Sequence, residues 1–221
     1  MNTAGESVVT VGDDDRRWVE YVQRHPDATH YHQLSWAKLI RTEFGQTPHY
    51  LMALQGEQVE GVLPLIRLNS RLFGHYMVSM PYLNYGGTLA RSATARTRLQ
   101  QAAKALGGEL GVSHIEFREQ APDEAGMPVR TDKVSMLLEL PASIDDLGKA
   151  IGSKRRSQVR RPLRENPEIK VGGAELVPLF YEVFARNMRD LGTPVYARSF
   201  YERMATTFPD DVKIVAITVG G

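Results

Sequence analysis

Residues 50–68 read YLMALQGEQVEGVLPLIRL, two apolar runs around the polar quartet Gln55-Gly56-Glu57-Gln58. Apolar runs bounded by a short glycine-containing turn predict a β-hairpin, here with strands over 50–54 and 59–68. Pro64 falls inside the second run. Proline has no N–H to give to a ladder, so it predicts a bulge or an edge position.

Working outward, residues 7–11 predict a short strand, with valines at 8, 9 and 11. Asp13, Asp14 and Asp15 then suit a helix N-terminus, and the helix is expected to run to about Arg24. Ser35 is a candidate cap for a helix carrying Trp36, Leu39, Ile40 and Phe44 and ending at Gly45. Beyond the hairpin come a strand over 76–80, the loop Pro81-Tyr82-Leu83-Asn84-Tyr85-Gly86-Gly87, and a helix over 92–110. That helix aligns Leu99, Ala102, Ala103, Leu106 and Leu110 on one face, and Gly111 stops it. Strands over 114–118 and 134–140 follow, separated by a loop at 120–131. The expected order is β-α-α-β-β-β-α-β-β.

A second series begins after a basic helical region, 147–164, in which Pro162 is expected to interrupt the helix. It comprises a strand at 169–171, a helix at 175–191, a helix at 200–208 and a strand at 212–219. The 175–191 helix carries the apolar stripe Leu176, Leu179, Phe180, Val183, Phe184, Met188 and Leu191. A strand ending at Gly220-Gly221 signals a hairpin partner beyond it, so the chain reads as a piece of a longer protein. The predicted divisions are a complete domain over 1–141, a basic connector over 142–166 and an incomplete domain over 167–221.

The chain has 221 residues, 42% hydrophobic and 24% charged, which excludes a disordered or collagen-like protein. With no cysteine, disulfides, thiolate metal sites and a cysteine nucleophile are excluded. No run approaches the roughly 18 apolar residues of a membrane span. Residues 1–17 hold no apolar core of a signal peptide, so a cytoplasmic location is expected. The net charge of +1 hides an asymmetry. Residues 149–164 hold seven of the 27 basic residues and no acidic one. The remainder has 20 basic against 26 acidic residues, a net of −6.

Four strings, GVLPL (61–65), SMPYLNYGG (79–87), IEFR (115–118) and NMRDLGTP (187–194), resemble the FemAB-type proteins, in particular the branch associated with exosortase/PEP-CTERM systems. The resemblance covers about Arg17 to Val219. It implies an α/β (α+β) fold built on GNAT acyltransferase-like domains, each a mixed sheet flanked by helices. This chain would hold one complete domain and the start of a second. It further implies an aminoacyl group moved from aminoacyl-tRNA to an amine of a peptidoglycan or exopolysaccharide-related precursor. Two departures from the family are expected, a second domain without its later strands and a basic helix interrupted by Pro162.

Such a transfer is direct attack of an amine on a bound acyl donor, and needs positioning and oxyanion donors rather than a covalent nucleophile. The donor, aminoacyl-tRNA or acyl-CoA, is a substrate, and no bound cofactor is expected. The usual coenzyme-A loop is not matched. Gly86-Gly87 reads either as a phosphate-facing turn before the 92–110 helix or as ordinary punctuation. Tyr82, Asn84 and Tyr85 read either as hydrogen-bonding groups for a sugar or peptide, or as a loop packed on the core. Arg118 either holds a substrate anion or pairs with Glu116 on its own strand. Arg189 and Tyr196 are placed by the resemblance on the second domain's cleft side, against the alternative of a helix end with a charged last turn.

Lys154, Arg155, Arg156 and Arg160 are the candidate contacts for a diphosphate or for tRNA phosphates, against a merely solvated face. DNA readout is not expected, because no DNA-binding module is present. His30 and His32 would share a strand face as metal ligands do, but no third ligand is near, and no metal is expected. No catalytic base is assigned; Glu116 and Asp190 are candidates. The competing readings are an acyltransferase, a phosphate- or RNA-binding module, and an interaction protein of envelope assembly.

Overall fold

The computed structural model describes residues 5–72, 74–120, 126–132 and 134–219. Residues 121–125 of the expected loop and the Gly220-Gly221 turn signal lie outside them. The chain divides between Val129 and Arg130 into two units.

In the first unit the elements are β1 (Glu6–Val11), α1 (Arg16–Arg24), a 3-10 turn (His30–His32), α2 (Ser35–Phe44), β2 (Thr47–Gln55), β3 (Gln58–Ser70), β4 (Gly74–Val78), β5 (Leu89–Ala90), α3 (Ala93–Glu109) and β6 (Ile115–Glu116). The sheet order is β1-β2-β3-β4-β6, with β5 also on β3. All pairs are antiparallel except β4 with β6, so the sheet is mixed. The apolar runs of β2 and β3 are continuous because both faces are covered. On one face Leu51, Ala53, Leu63, Leu65 and Met77 pack with Leu99 and Ala103 of α3. On the other, Trp18 of α1 stacks on Tyr50 with ring centroids 4.9 Å apart. Its indole N–H donates to the His32 carbonyl at 2.7 Å.

Two local expectations change here. Asp15 caps α1, accepting the Arg17 N–H at 2.9 Å. Ser35, however, is the first helical residue of α2, and Leu34 precedes it with no side-chain cap. Pro64 marks neither a bulge nor an edge. It lies opposite Tyr50 in a central strand, and the register shift is at Ala53/Leu54. On its other side β5 pairs with Gly61 and Val62, and β4 with residues 66–70. Pro64 falls in the gap between them, where a missing N–H costs no ladder bond.

The second unit holds α4 (Ile144–Ala150), α5 (Gly152–Leu163), β7 (Glu168–Gly172), a 3-10 turn (Ala174–Leu176), α6 (Val177–Asp190), α7 (Arg198–Thr207) and β8 (Ile214–Thr218). The expected strand at 134–140 does not form. Those residues have no regular structure and stand exposed. Val134, Met136, Leu138 and Leu140 keep the alternation of a strand, but among the described residues no ladder pairs with them. The basic region is broken at Gly152, whose positive φ of 79° ends one helix and starts the next. Pro162 sits in the last turn of α5 without ending it. The last strand does have a partner, and it lies upstream: β8 pairs antiparallel with β7.

Leu99 is fully buried between α3 and the sheet. Leu99→Ala is expected to cost about 2–5 kcal/mol, read from the midpoint of urea unfolding at unchanged slope.

Candidate functional site

The site is built where β4 ends. Ser79 donates its backbone N–H to the Glu116 carbonyl at 2.9 Å, extending the parallel pairing by one bond. The Arg118 backbone N–H returns to the Ser79 hydroxyl at 2.6 Å. Then the chain turns sharply. Met80 and Tyr82 both take positive φ, 58° and 71°. Residues with side chains pay roughly 1–3 kcal/mol for such conformations, so the surroundings must hold them.

The surroundings are specific. The Arg118 guanidinium donates to the carbonyls of Met80, at 3.3 Å, and of Leu83, while its Nε donates to Glu116 at 2.8 Å. Arg118 thus lies beside Glu116, as the strand pairing reading has it, and its remaining donors hold the loop. Met80 is fully buried, and its sulfur accepts from the Tyr50 hydroxyl at 3.4 Å. Tyr82 stacks on Phe44 at 3.9 Å between centroids. Tyr85 lies 6.4 Å from Tyr31, which also neighbours Trp36. Asn84 stands exposed at the loop tip. Gly86 has φ 134°, and a Cβ there would sit 2.4 Å from the Met80 side chain, so only glycine fits.

Behind Gly87 lies a polar cluster that sequence reasoning missed. The Glu119 carboxylate accepts from the Thr88 N–H at 2.9 Å, the Thr88 hydroxyl at 2.8 Å and Arg96 at 3.0 Å. A Cβ on Gly87 would meet that carboxylate at 2.5 Å. An internal carboxylate therefore occupies the turn before α3, where the phosphate reading would put an anion. Buried His32 closes the other side, with Nε2 at 3.2 Å from the Gly87 carbonyl. The Thr29 backbone N–H donates to Nδ1 at 3.0 Å, which makes Nδ1 the acceptor and puts the proton on Nε2. His32 faces inward because residues 30–32 form a 3-10 turn, not the strand its spacing with His30 suggested. His30 goes to the Trp36 indole instead. Among the described residues no group of three or more His, Asp or Glu could hold a metal ion.

The remaining candidates lie in the second unit. Arg189 pairs with its neighbour Asp190 at 3.0 Å, both exposed. Tyr196 accepts the Tyr181 hydroxyl at its carbonyl and packs edge-on to Phe200. Lys154, Arg155, Arg156 and Arg160 all stand on α5.

No protein-family model matches the chain, and no curated protein matches its sequence. Among solved structures it is similar to one titled "Crystal structure of FemX", with a TM-score of 0.65 and 14% identity. The match covers 96% of this chain and 58% of that one, so the chain spans less than two thirds of FemX. The fold is accordingly FemX-like, a mixed sheet flanked by helices.

Two predictions test the loop's supports. Gly86→Ala should destabilise the protein by about 1–3 kcal/mol in urea unfolding, since the backbone is strained and Met80 must move. Burial pushes the His32 imidazole below its ordinary range, against the pull of its bonds to Gly87 and Thr29. Below about pH 6.5 the unfolded chain takes up a proton that the folded chain refuses. Stability should therefore be whole above about pH 6.5 and fall as pH drops toward the folded value, by at most about 1.4 kcal/mol per pH unit. His32→Gln should remove that part of the slope, read by comparing the two proteins across the series.

Proposed function

We propose that this chain is part of an aminoacyltransferase that acylates an amine of a peptidoglycan precursor. The observation that supports the reading is the FemX-like fold over 96% of the chain. The strings at 61–65, 79–87, 115–118 and 187–194 extend the proposal to the exosortase/PEP-CTERM-associated branch, with an exopolysaccharide-related acceptor as the variant.

In the proposed reaction the acceptor nitrogen attacks the carbonyl carbon of the aminoacyl ester. A C–N bond forms, the C–O bond to the tRNA ribose breaks, and the amine proton ends on the released ribose hydroxyl. The chain's share is positioning in a fixed loop. Tyr82, Asn84 and Tyr85 are the side chains offered to substrate, with Gly86 and Gly87 setting the backbone path. Arg118, on this reading, acts through the loop carbonyls it holds. Arg189 and Tyr196 are proposed as further substrate contacts of the second unit.

The test is transfer of label from charged tRNA, with acyl-CoA in parallel, to a peptidoglycan precursor bearing a free amine. Label in the precursor, lowered about 10-fold or more by Asn84→Ala with Tyr85→Phe, is the expected result. No transfer from either donor by the folded full-length protein that contains this chain overturns it.

A further inference from the structure

We propose that α5 docks on an anionic lipid membrane, with the exposed apolar segment before α4 as a second contact. The first observation is charge. Of the seven basic residues in 149–164, Lys149 pairs with Asp146 at 2.9 Å. Among the described residues, Lys154, Arg155, Arg156, Arg160, Arg161 and Arg164 form no ion pair. Six unpaired cations on about three turns repel one another unless an anionic surface faces them.

The second observation is apolar exposure in the same stretch. No residue of α5 is buried. Val159 and Leu163 are 57% and 52% exposed. They stand four apart on one helix stripe, flanked by Arg155 on one side and by Arg156 and then Arg160 on the other. Ahead of the helices, Val134, Met136, Leu137, Leu138 and Leu140 are 60–89% exposed, and Ile144 of α4 is 87% exposed. Exposed aliphatic side chains this numerous mark an interaction site rather than a solvated face.

The two observations together decide the partner. RNA would neutralise the cations but leave the aliphatic side chains in water, and the stretch 134–164 has no aromatic residue on which a base could stack. A bilayer surface satisfies both: aliphatic side chains enter the headgroup boundary while flanking arginines reach the lipid phosphates. This does not depend on the transfer reaction. The element would lie on the membrane, since no helix among the described residues is long and apolar enough to cross one.

The geometry makes a selective prediction. Arg155, Arg156 and Arg160 border the apolar stripe, whereas Lys154 and Arg161 point to the opposite side of the helix. The experiment is co-sedimentation of the 221-residue protein with vesicles of phosphatidylglycerol and phosphatidylcholine, or of phosphatidylcholine alone, with tRNA binding measured in parallel. Binding to the anionic vesicles only, weakened by salt, is expected. Arg155→Glu with Arg156→Glu and Arg160→Glu should weaken it about a hundredfold or more. Val159→Ser with Leu163→Ser should weaken it about tenfold while circular dichroism stays unchanged. Lys154→Glu with Arg161→Glu should have the smaller effect. No binding to anionic vesicles, equal binding to both vesicle types, or tRNA binding that alone responds to Lys154 and Arg161 overturns the proposal.

Discussion

Both faces of the β2–β3 pair have to be dry, and the first unit follows from that constraint. Leu51, Ala53, Leu63 and Leu65 face one way, and Tyr50, Met52, Val62 and Ile66 the other, all buried. One helix layer cannot cover both sets. Chain before the hairpin supplies α1 and α2, and chain after it supplies α3. The indole of Trp18 links this arrangement to the candidate site, since it stacks on Tyr50 and donates to the carbonyl of His32. His32 in turn holds Gly87. The hairpin's packing thus reaches the loop through two aromatic rings and one imidazole.

The loop itself is a strained path held by polar supports from both ends. Arg118 fixes its first half by the Met80 and Leu83 carbonyls, and Glu119 fixes its exit by Thr88. The two residues are adjacent in the chain, just beyond the end of β6. The segment that follows the short parallel strand β6 thus clamps the loop at two places. The loop tip stays free of these supports, which leaves Asn84 in solvent.

Local patterns made much of this legible. The hairpin, α3 with its Gly111 stop, and the acidic start of α1 at Asp15 each rest on signals within a few residues. What required tertiary structure was not legible. Thr88 and Glu119 are 31 residues apart, and nothing near either one indicates that they meet. The spacing of His32 from His30 suggests a shared strand face, whereas these residues form a 3-10 turn. The missing N–H of Pro64 is legible, but its consequence depends on which strand lies beside it. The apolar run at 134–140 gives no strand because a strand exists only through its ladder. The charge of α5 is legible as composition, whereas the break expected at Pro162 falls at Gly152, whose positive φ leaves no sign beyond a common residue type.

The two units are stabilised to different degrees. In the second, the buried apolar side chains among the described residues are Val177, Phe200, Ala205 and Phe208, and the described sheet has two strands. A two-stranded sheet is marginal without packing on a helix. Here the pairs Ile169 with Ile217 and Val171 with Val215 remain largely exposed on one face. What holds α6 and α7 is the nest of Phe180, Phe184, Phe200 and Tyr201, whose rings meet at 5.2–5.5 Å between centroids. Rings contribute about 0.5–1.5 kcal/mol per pair beyond their buried area, less than a closed core provides. Local opening is therefore cheaper in this unit than around β2 and β3. A loop that must hold positive-φ residues in place is accordingly carried by the closed core of the first unit.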